Sequence, residues 1–275
     1  MASVPASPDL AVVTHQSESD LRRNLAGHVA SAERLEARLI VVDNGSRDRS
    51  RELVRSWRER SSRIELVELD PNVGYAAAVN AAFARAPGRD VMVLNPDVEL
   101  DDPGPVRALV AHLADRPRAG LVAPRLIGPG GEVQPSARRA ASLQAMLGSL
   151  PVAGGLRPLR KTYERYLAPS YSASPVSVGW VIGAAMLIRR RAYEEIGGFD
   201  PGFFLYMEDA DFCRRLARAG WSVDYLPGVR LRHGYARASS AAGATVFGSR
   251  ARRRHFASLA RYWRKHPRAL FGGDA

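Results

Sequence analysis

At 275 residues the chain is long enough for one large α/β domain, and it can bury a substantial core without covalent staples. Its single cysteine, Cys213, excludes an intrachain disulfide and gives no sign of an oxidising compartment. The net charge is +12, with only Lys161 and Lys265 as lysines, so the chain carries an arginine-rich surface suited to anionic partners. In chain order, the opening Met1-Ala2-Ser3-Val4-Pro5-Ala6-Ser7-Pro8-Asp9 lacks the basic start and apolar core of a signal peptide, which predicts a cytoplasmic location. Residues 11–14 read as a buried strand. Residues 17–31 read as a helix, with Leu21, Leu25 and Val29 four apart.

A second strand, residues 39–42, runs into the turn Asp43-Asn44-Gly45-Ser46, where Ser46 or Asp48 is placed to cap a helix carrying Leu53, Val54 and Trp57. Residues 64–69 form a third strand, and Asp70-Pro71-Asn72-Val73-Gly74-Tyr75 leads into an alanine-rich helix over residues 75–85. The fourth strand, residues 91–94, delivers Asn95-Pro96-Asp97 to the same edge. This alternation predicts a Rossmann-like, mostly parallel sheet flanked by helices, with binding loops at the carboxyl ends of its strands.

Pro103 opens a helix whose stripe of Val106, Leu109, Val110 and Leu113 belongs in the core. Residues 121–123 read as a strand, and Pro129-Gly130-Gly131 as a tight turn. Between residues 135 and 175 the pattern fades into Arg, Ser, Gly and Pro, the composition of a long mobile segment. The apolar run of residues 176–188 is shorter than the roughly 20 residues of a membrane span. It ends at Arg189-Arg190-Arg191 and reads as a buried strand or strand-turn element. Short strands are expected near residues 223–226 and 229–232, ending at His233. The last 39 residues then set nine basic residues, among them Arg237, Arg253, Arg264, Lys265 and Arg268, against the single acid Asp274.

The densest chemistry lies in Met207-Glu208-Asp209-Ala210-Asp211, three carboxylates at the mouth of a helix just after the aromatic run Phe203-Phe204-Leu205-Tyr206. Acids are ordinary in a first helical turn, where they cap and meet the positive end of the dipole. Crowded beside aromatic rings, however, they repel one another and hold protons more tightly, which suits one of them to accept a proton. Together with Asn95-Pro96-Asp97 they point to a metal-assisted transfer enzyme.

In order along the chain, Asp43-Asn44-Gly45-Ser46, Asn72-Val73-Gly74-Tyr75-Ala76 with Asn80, Asn95-Pro96-Asp97-Val98, Gly197-Gly198-Phe199-Asp200, Glu208-Asp209-Ala210-Asp211 and His233 resemble the family 2 glycosyltransferases of the GT-A fold. Asn95-Pro96-Asp97, Pro135-Ser136-Ala137-Arg138 and Tyr206-Met207-Glu208-Asp209 resemble the rhamnosyltransferase branch in particular. The resemblance spans about residues 10–235, with residues 236–275 as a basic helical extension packed on or following that domain. It makes Asp43 the nucleobase contact, able to accept from the N3–H of uracil or thymine, and it puts Thr14, Asn44, Ser46, Asn72, Gly74, Tyr75, Asn80, Asn95 and Trp180 around the nucleotide sugar. Gly74 is expected to let bare backbone approach the nucleotide. Asp97 matches the second acid of the family's DxD motif, with Asn95 replacing the first and His233 completing a shell for Mg²⁺ or Mn²⁺.

Asp209 matches the family's catalytic base. Glu208 is expected to position base or acceptor, and Asp211, Arg138 and Arg139 are placed on the acceptor side. The implied reaction is an inverting transfer of a sugar, foremost L-rhamnose from dTDP-rhamnose, to a glycan or polyprenyl-linked glycolipid in envelope polysaccharide synthesis. UDP-sugars fit the same motifs, and the basic C-terminus implies peripheral contact with the membrane. A nucleic-acid-binding protein is the rival from another class, but it leaves the acidic motifs without a role. A nucleotidyltransferase would need a Gly-rich basic loop after the first strand, where this chain has Thr14-His15-Gln16-Ser17-Glu18-Ser19.

Overall fold

The computed structural model describes residues 7–148, 157–234 and 250–271. Alternation of apolar side chains builds the frame. In β1 (Asp9–Thr14), Leu10 and Val12 enter one core while Ala11 and Val13 enter the other, so the strand is buried on both faces. β2 (Leu39–Asn44), β3 (Ile64–Leu69) and β4 (Val91–Leu94) complete a parallel unit with it, joined by α1 (Glu18–Arg34), α2 (Ser50–Arg58) and α3 (Tyr75–Arg85). α4 (Gly104–Asp115) leads to β5 (Ala119–Ile127), a strand longer than its three most apolar residues indicate.

One eight-stranded sheet runs in the order β3-β2-β1-β4-β9-β5-β10-β7, where β7 is Val176–Ser177, β9 is Ala185–Ile188 and β10 is Ser222–Arg232. β6 (Ala137–Arg138) and β8 (Trp180–Val181) pair separately. The expected single element over residues 176–188 is therefore three short strands, of which β9 inserts antiparallel between β4 and β5. The two strands expected around residues 223–232 are one strand, with a register irregularity between Leu226 and Arg230. Strand order reverses between β1 and β4, and such a switch point opens a ligand crevice at the carboxyl ends.

Two apolar layers sandwich the sheet. α1, α2 and α4 contribute Leu21, Leu25, Val54, Val106 and Leu109 to one. α3 and α8 (Glu208–Arg218) contribute Val79, Phe83, Phe212, Cys213 and Leu216 to the other, with Cys213 a fully buried apolar filler. α7 (Arg190–Glu195) adds Ala192 to the second layer. Asp48 rather than Ser46 serves the helix starts, accepting Ser50 N–H at 3.1 Å and Glu18 N–H at 3.0 Å.

The segment expected to be mobile carries structure in its described parts: α5 (Leu143–Gly148), α6 (Arg157–Leu167) and a 3₁₀ turn at Ala168–Tyr171. Ser170 pins that turn by accepting Ala137 N–H at 2.9 Å. The C-terminal α9 (Arg250–Lys265) packs back on the domain through Tyr262, which is buried in the second layer. Arg237 and Asp274 lie outside the described residues. Among the described residues no helix is long and apolar enough to cross a membrane.

Candidate active site

Thr14 and Asp43 are register partners at the carboxyl ends of β1 and β2, and both are wholly buried. Asp43 Oδ1 accepts from Ser46 N–H at 2.9 Å and from Arg51 Nε at 2.6 Å, and Arg51 also donates to the Leu69 carbonyl at 2.9 Å. Asp43 Oδ2 and Thr14 Oγ1 have no hydrogen-bond partner among the described residues. A buried polar atom left unpaired costs about 1–3 kcal/mol. Two of them side by side at the ends of β1 and β2 suit polar atoms supplied by a ligand, and a pyrimidine imide N–H suits the carboxylate oxygen. Arg51 escaped the sequence reading because nothing separates it from the other arginines of α2.

The neighbouring loop residues shape the crevice. Asn44 Oδ1 accepts Val73 N–H, Asn72 Oδ1 accepts Gly74 N–H, both at 2.9 Å, and Ser46 Oγ accepts Gln16 N–H at 3.0 Å. Gly74 has φ +90°, and a Cβ there would sit 2.6 Å from the Phe204 carbonyl oxygen, to which Tyr75 N–H donates at 2.9 Å. Its open side is thus taken by Phe204, and the expected bare approach to a nucleotide gives way to a backbone crossing. Asn80 is a second correction. Its Oδ1 accepts from Tyr193 Oη at 2.8 Å and Phe199 N–H at 3.0 Å while its Nδ2 donates to the Phe199 carbonyl at 2.8 Å, so its amide ties α3 to the Gly197-Gly198-Phe199 turn and keeps one Nδ2 hydrogen beyond these bonds.

On the acidic side, Asp209 Oδ2 accepts Gly183 N–H at 3.1 Å and Oδ1 accepts its neighbour Ala210 N–H at 2.8 Å. Tyr75 Oη donates to the Gly183 carbonyl at 2.5 Å, and Asn95 N–H donates to Ala184 at 2.8 Å. The strap 183–184 thereby fastens the end of β4 and the start of α8 into one site. Burial raises the Asp209 carboxyl to about 6, opposed by the backbone donors Ala210 and Gly183 and by Arg138. Burial raises Glu208 well above the usual carboxylate range, and the Asp209 charge adds to this; its Oε2 is a buried atom with no partner among the described residues.

Tyr206 and Met207, just before α8, are both left-handed at φ +68° and +67°, a conformation that costs roughly 1–2 kcal/mol per residue. α9 braces this stretch from outside. Ser258 Oγ donates to Leu205 at 2.9 Å, Arg254 lies 3.6 Å from the Phe204 ring centre, and His255 meets the Tyr206 ring edge-on.

Asp97 and His233 meet through backbone as well as side chain. Val98 and His233 form a bridge, Gly234 N–H donates to the Asp97 carbonyl at 2.8 Å, and His233 Nε2 lies 3.3 Å from Asp97 Oδ1. One carboxylate and one imidazole at this separation suit two ligands of a single ion held at about 2.0–2.2 Å. Among the described residues no cluster of three or more His, Cys, Asp or Glu is placed to hold a metal alone. The donor set therefore fits a cation that takes its remaining ligands from phosphates and water. Asp20, near the start of α1, is a residue the sequence reading did not single out: burial raises its carboxyl, with Asp97 adding to the effect.

Trp180 is 6% exposed, donates from Nε1 to Tyr166 Oη at 3.0 Å, and has Arg138 4.7 Å over its ring. Arg138 Nε donates to Pro135 at 3.0 Å. Arg139 is exposed and joins the frame through its backbone N–H, which donates to the Tyr166 carbonyl at 3.0 Å. Asp211 is the third correction, for it is wholly buried and faces α9 rather than an acceptor. Oδ1 meets His266 Nε2 at 2.8 Å and Lys265 Nζ at 2.9 Å, and Oδ2 accepts from Arg215 Nε at 2.8 Å. Burial pushes its carboxyl up, but the bond from His266 and the Arg215 and Lys265 charges outweigh that and hold it below the usual range. Asp200 joins the same clamp, paired with Arg261 at 2.9 Å and Lys265 at 2.7 Å.

Comparison with known proteins meets this geometry. Residues 9–197 match the family described as Glycosyl transferase family 2, and residues 160–265 match Glycosyl transferase family group 2. The N-acetylglucosaminyl-diphospho-decaprenol L-rhamnosyltransferase of Mycobacterium tuberculosis (strain ATCC 25618 / H37Rv) is 34% identical over 232 residues, 80% of this chain and 74% of that protein. Rhamnosyltransferase WbbL of Escherichia coli (strain K12) is 38% identical over 89 residues, 32% of either chain. Among solved structures, GalNAc-T7 with UDP, GalNAc and Mn²⁺ superposes with a TM-score of 0.63 at 19% identity over 86% of this chain and 45% of that one. The mannosyltransferase PcManGT from Pyrobaculum calidifontis, in complex with GDP-Man and Mn²⁺, gives 0.57 at 20% over 85% and 60%. The chain thus spans about half the length of these solved structures, and the likeness to them is one of fold.

Proposed function

The chain belongs to the family 2 glycosyltransferases, and from that premise we propose that it moves L-rhamnose from dTDP-rhamnose, with inversion at the anomeric carbon, to a hydroxyl of a polyprenyl-diphosphate-linked sugar in envelope polysaccharide assembly. The observation that carries the reading is Asp209, a buried carboxylate oriented by two backbone N–H groups and fastened through the strap 183–184 to the strand end that bears Asp97. Identity to an L-rhamnosyltransferase over most of both chains supports the choice of sugar.

Thr14 and Asp43 receive the pyrimidine, Asp43 Oδ2 accepting its imide proton. Asp209 takes the proton of the acceptor hydroxyl as that oxygen attacks the anomeric carbon, a role worth about 10²–10⁴ in rate. Glu208, whose proton burial holds more tightly, is placed to offer a hydrogen bond to a sugar hydroxyl. Arg138, stacked on Trp180 and within electrostatic reach of Asp209, is the acceptor-side cation. A bound Mg²⁺ or Mn²⁺ held by Asp97 and His233 would neutralise charge on the departing nucleoside diphosphate, worth several kcal/mol. The exposed Arg253, Arg264 and Arg268 of the C-terminal region support peripheral docking on the inner membrane face, at roughly 1 kcal/mol per well-placed cation.

Calorimetric titration with dTDP, UDP and GDP, each with and without Mn²⁺, tests the donor. Metal-dependent binding that prefers dTDP is expected, together with transfer from dTDP-rhamnose. The same two acceptors serve a uracil, so a preference for UDP replaces the sugar and keeps the mechanism. Binding of none of the three overturns the reading.

A further inference from the structure

Gln134 is 4% exposed and closes a ring with His233, a residue 99 positions away in sequence. Its Nε2 donates to the His233 carbonyl at 3.1 Å, and its Oε1 lies 2.7 Å from His233 Nδ1. An amide nitrogen only donates and a backbone carbonyl only accepts, so the first contact fixes which way the amide points. The atom facing Nδ1 is then an acceptor, and Nδ1 must carry a hydrogen. Backbone bonds hold both residues in place at the end of β5, with Gln134 N–H on Leu126 at 3.0 Å and His233 N–H on Ile127 at 2.9 Å. In the neutral ring Nε2 is left as the lone-pair nitrogen, turned toward Asp97 Oδ1 at 3.3 Å. A divalent cation seated between Nε2 and Asp97 Oδ1 would be held by both.

We propose that Gln134 is a positioning residue: it fixes the His233 imidazole as the Nδ1–H tautomer and so presents Nε2, beside Asp97, as a ligand for a divalent cation. The proposal rests on the reading of Asp97 and His233 as the metal-holding pair. Outer partners of this kind commonly set ring orientation and affinity. A neutral amide orients the ring without adding the charge that an outer carboxylate would bring, which leaves the nucleotide phosphates to supply most of the attraction. Tight cation binding is therefore expected only when a nucleoside diphosphate is present.

The test uses the full chain with Mn²⁺ and dTDP as probes. Long-range ¹⁵N spectra of the metal-free protein are expected to show His233 as the Nδ1–H tautomer, and Gln134→Ala to lose that preference. Mn²⁺ affinity in the presence of dTDP, read by electron paramagnetic resonance, is expected to fall about 10- to 100-fold in Gln134→Ala. Gln134→Glu, which keeps an acceptor for Nδ1–H and adds a carboxylate behind the ring, is expected to bind Mn²⁺ at least as tightly as the parent. A loss in Gln134→Glu equal to that in Gln134→Ala overturns the acceptor role. So does an Nε2–H tautomer in the parent, or parental Mn²⁺ affinity in Gln134→Ala when His233→Ala has lost it; in these cases the ligand pair itself stands. Undiminished Mn²⁺ binding by His233→Ala overturns the ligand pair and this proposal with it.

Discussion

The crevice and the contact between α8 and α9 treat their polar groups in opposite ways. At the β1–β2 end, Thr14 Oγ1 and Asp43 Oδ2 are buried with no partner among the described residues, and at the first turn of α8 Glu208 Oε2 is in the same state. Two residues after Asp209, by contrast, Asp211 has both oxygens filled by His266, Lys265 and Arg215, and Asp200 nearby is held to about 2, where hydrogen bonds from Lys265, Gly202 and Arg261 overcome the upward push of burial. Carboxylates a few residues apart thus divide between those that hold the protein together and those left for a ligand. The lesson is that an acidic motif is not one functional unit: the partners supplied by the rest of the fold sort its members.

The sharpest way to break this division is Asp209→Asn. Transfer is expected to fall by about 10²–10⁴ while dTDP binding persists, measured by turnover and calorimetry; near-parental turnover removes Asp209 from the base role. Asp211→Ala sits on the other side of the division. It takes the shared acceptor from buried His266 and from Arg215 and Lys265, which still reach solvent, and is expected to cost about 1–3 kcal/mol in denaturant unfolding. Asp43→Asn turns an acceptor toward the base into a donor and is expected to weaken dTDP and UDP alike by about 10- to 100-fold in the same calorimetry, the scale of one lost charged hydrogen bond.

The smallest effects are in pH. Because the Asp209 carboxyl is raised to about 6, the transfer rate is expected to drop as pH falls through that value. The folded state also holds this proton more tightly than the unfolded chain, so the group's contribution to stability declines as pH rises from about 4 through 6. Asp200, held down to about 2, works in the opposite sense: its contribution is full above the ordinary carboxylate value and is lost as pH falls from about 4 toward 2. Unfolding midpoints measured across pH 2–7, with Asp209→Asn and Asp200→Asn as controls, separate the two slopes.

Much of the parallel unit was legible in the sequence because each of its strands is a buried apolar run stopped by a polar turn, so period and boundary coincide at Thr14, Asp43 and Asn95. The acidic helix start was legible for the same local reason. What could not be read was set by pairing at a distance. Asn80 looks like a binding-site amide until Phe199, 119 residues on, takes both ends of it. Gln134 shows its use only beside His233. The elements within residues 135–175 are short and weakly patterned, and they stand because Ser170 and Tyr166 reach Ala137 and Trp180.

The clamp on Asp211 also carries a consequence for the order in which the molecule comes into being. During synthesis the β1–β4 unit leaves the ribosome first, and β4 gains its second sheet neighbour only with β9. The carboxylate at the catalytic helix must wait for His266, 55 residues later, before its charge is answered. Under the proposed roles, the residues assigned to the pyrimidine and the brace on the helix that bears Asp209 thus leave the ribosome at different moments.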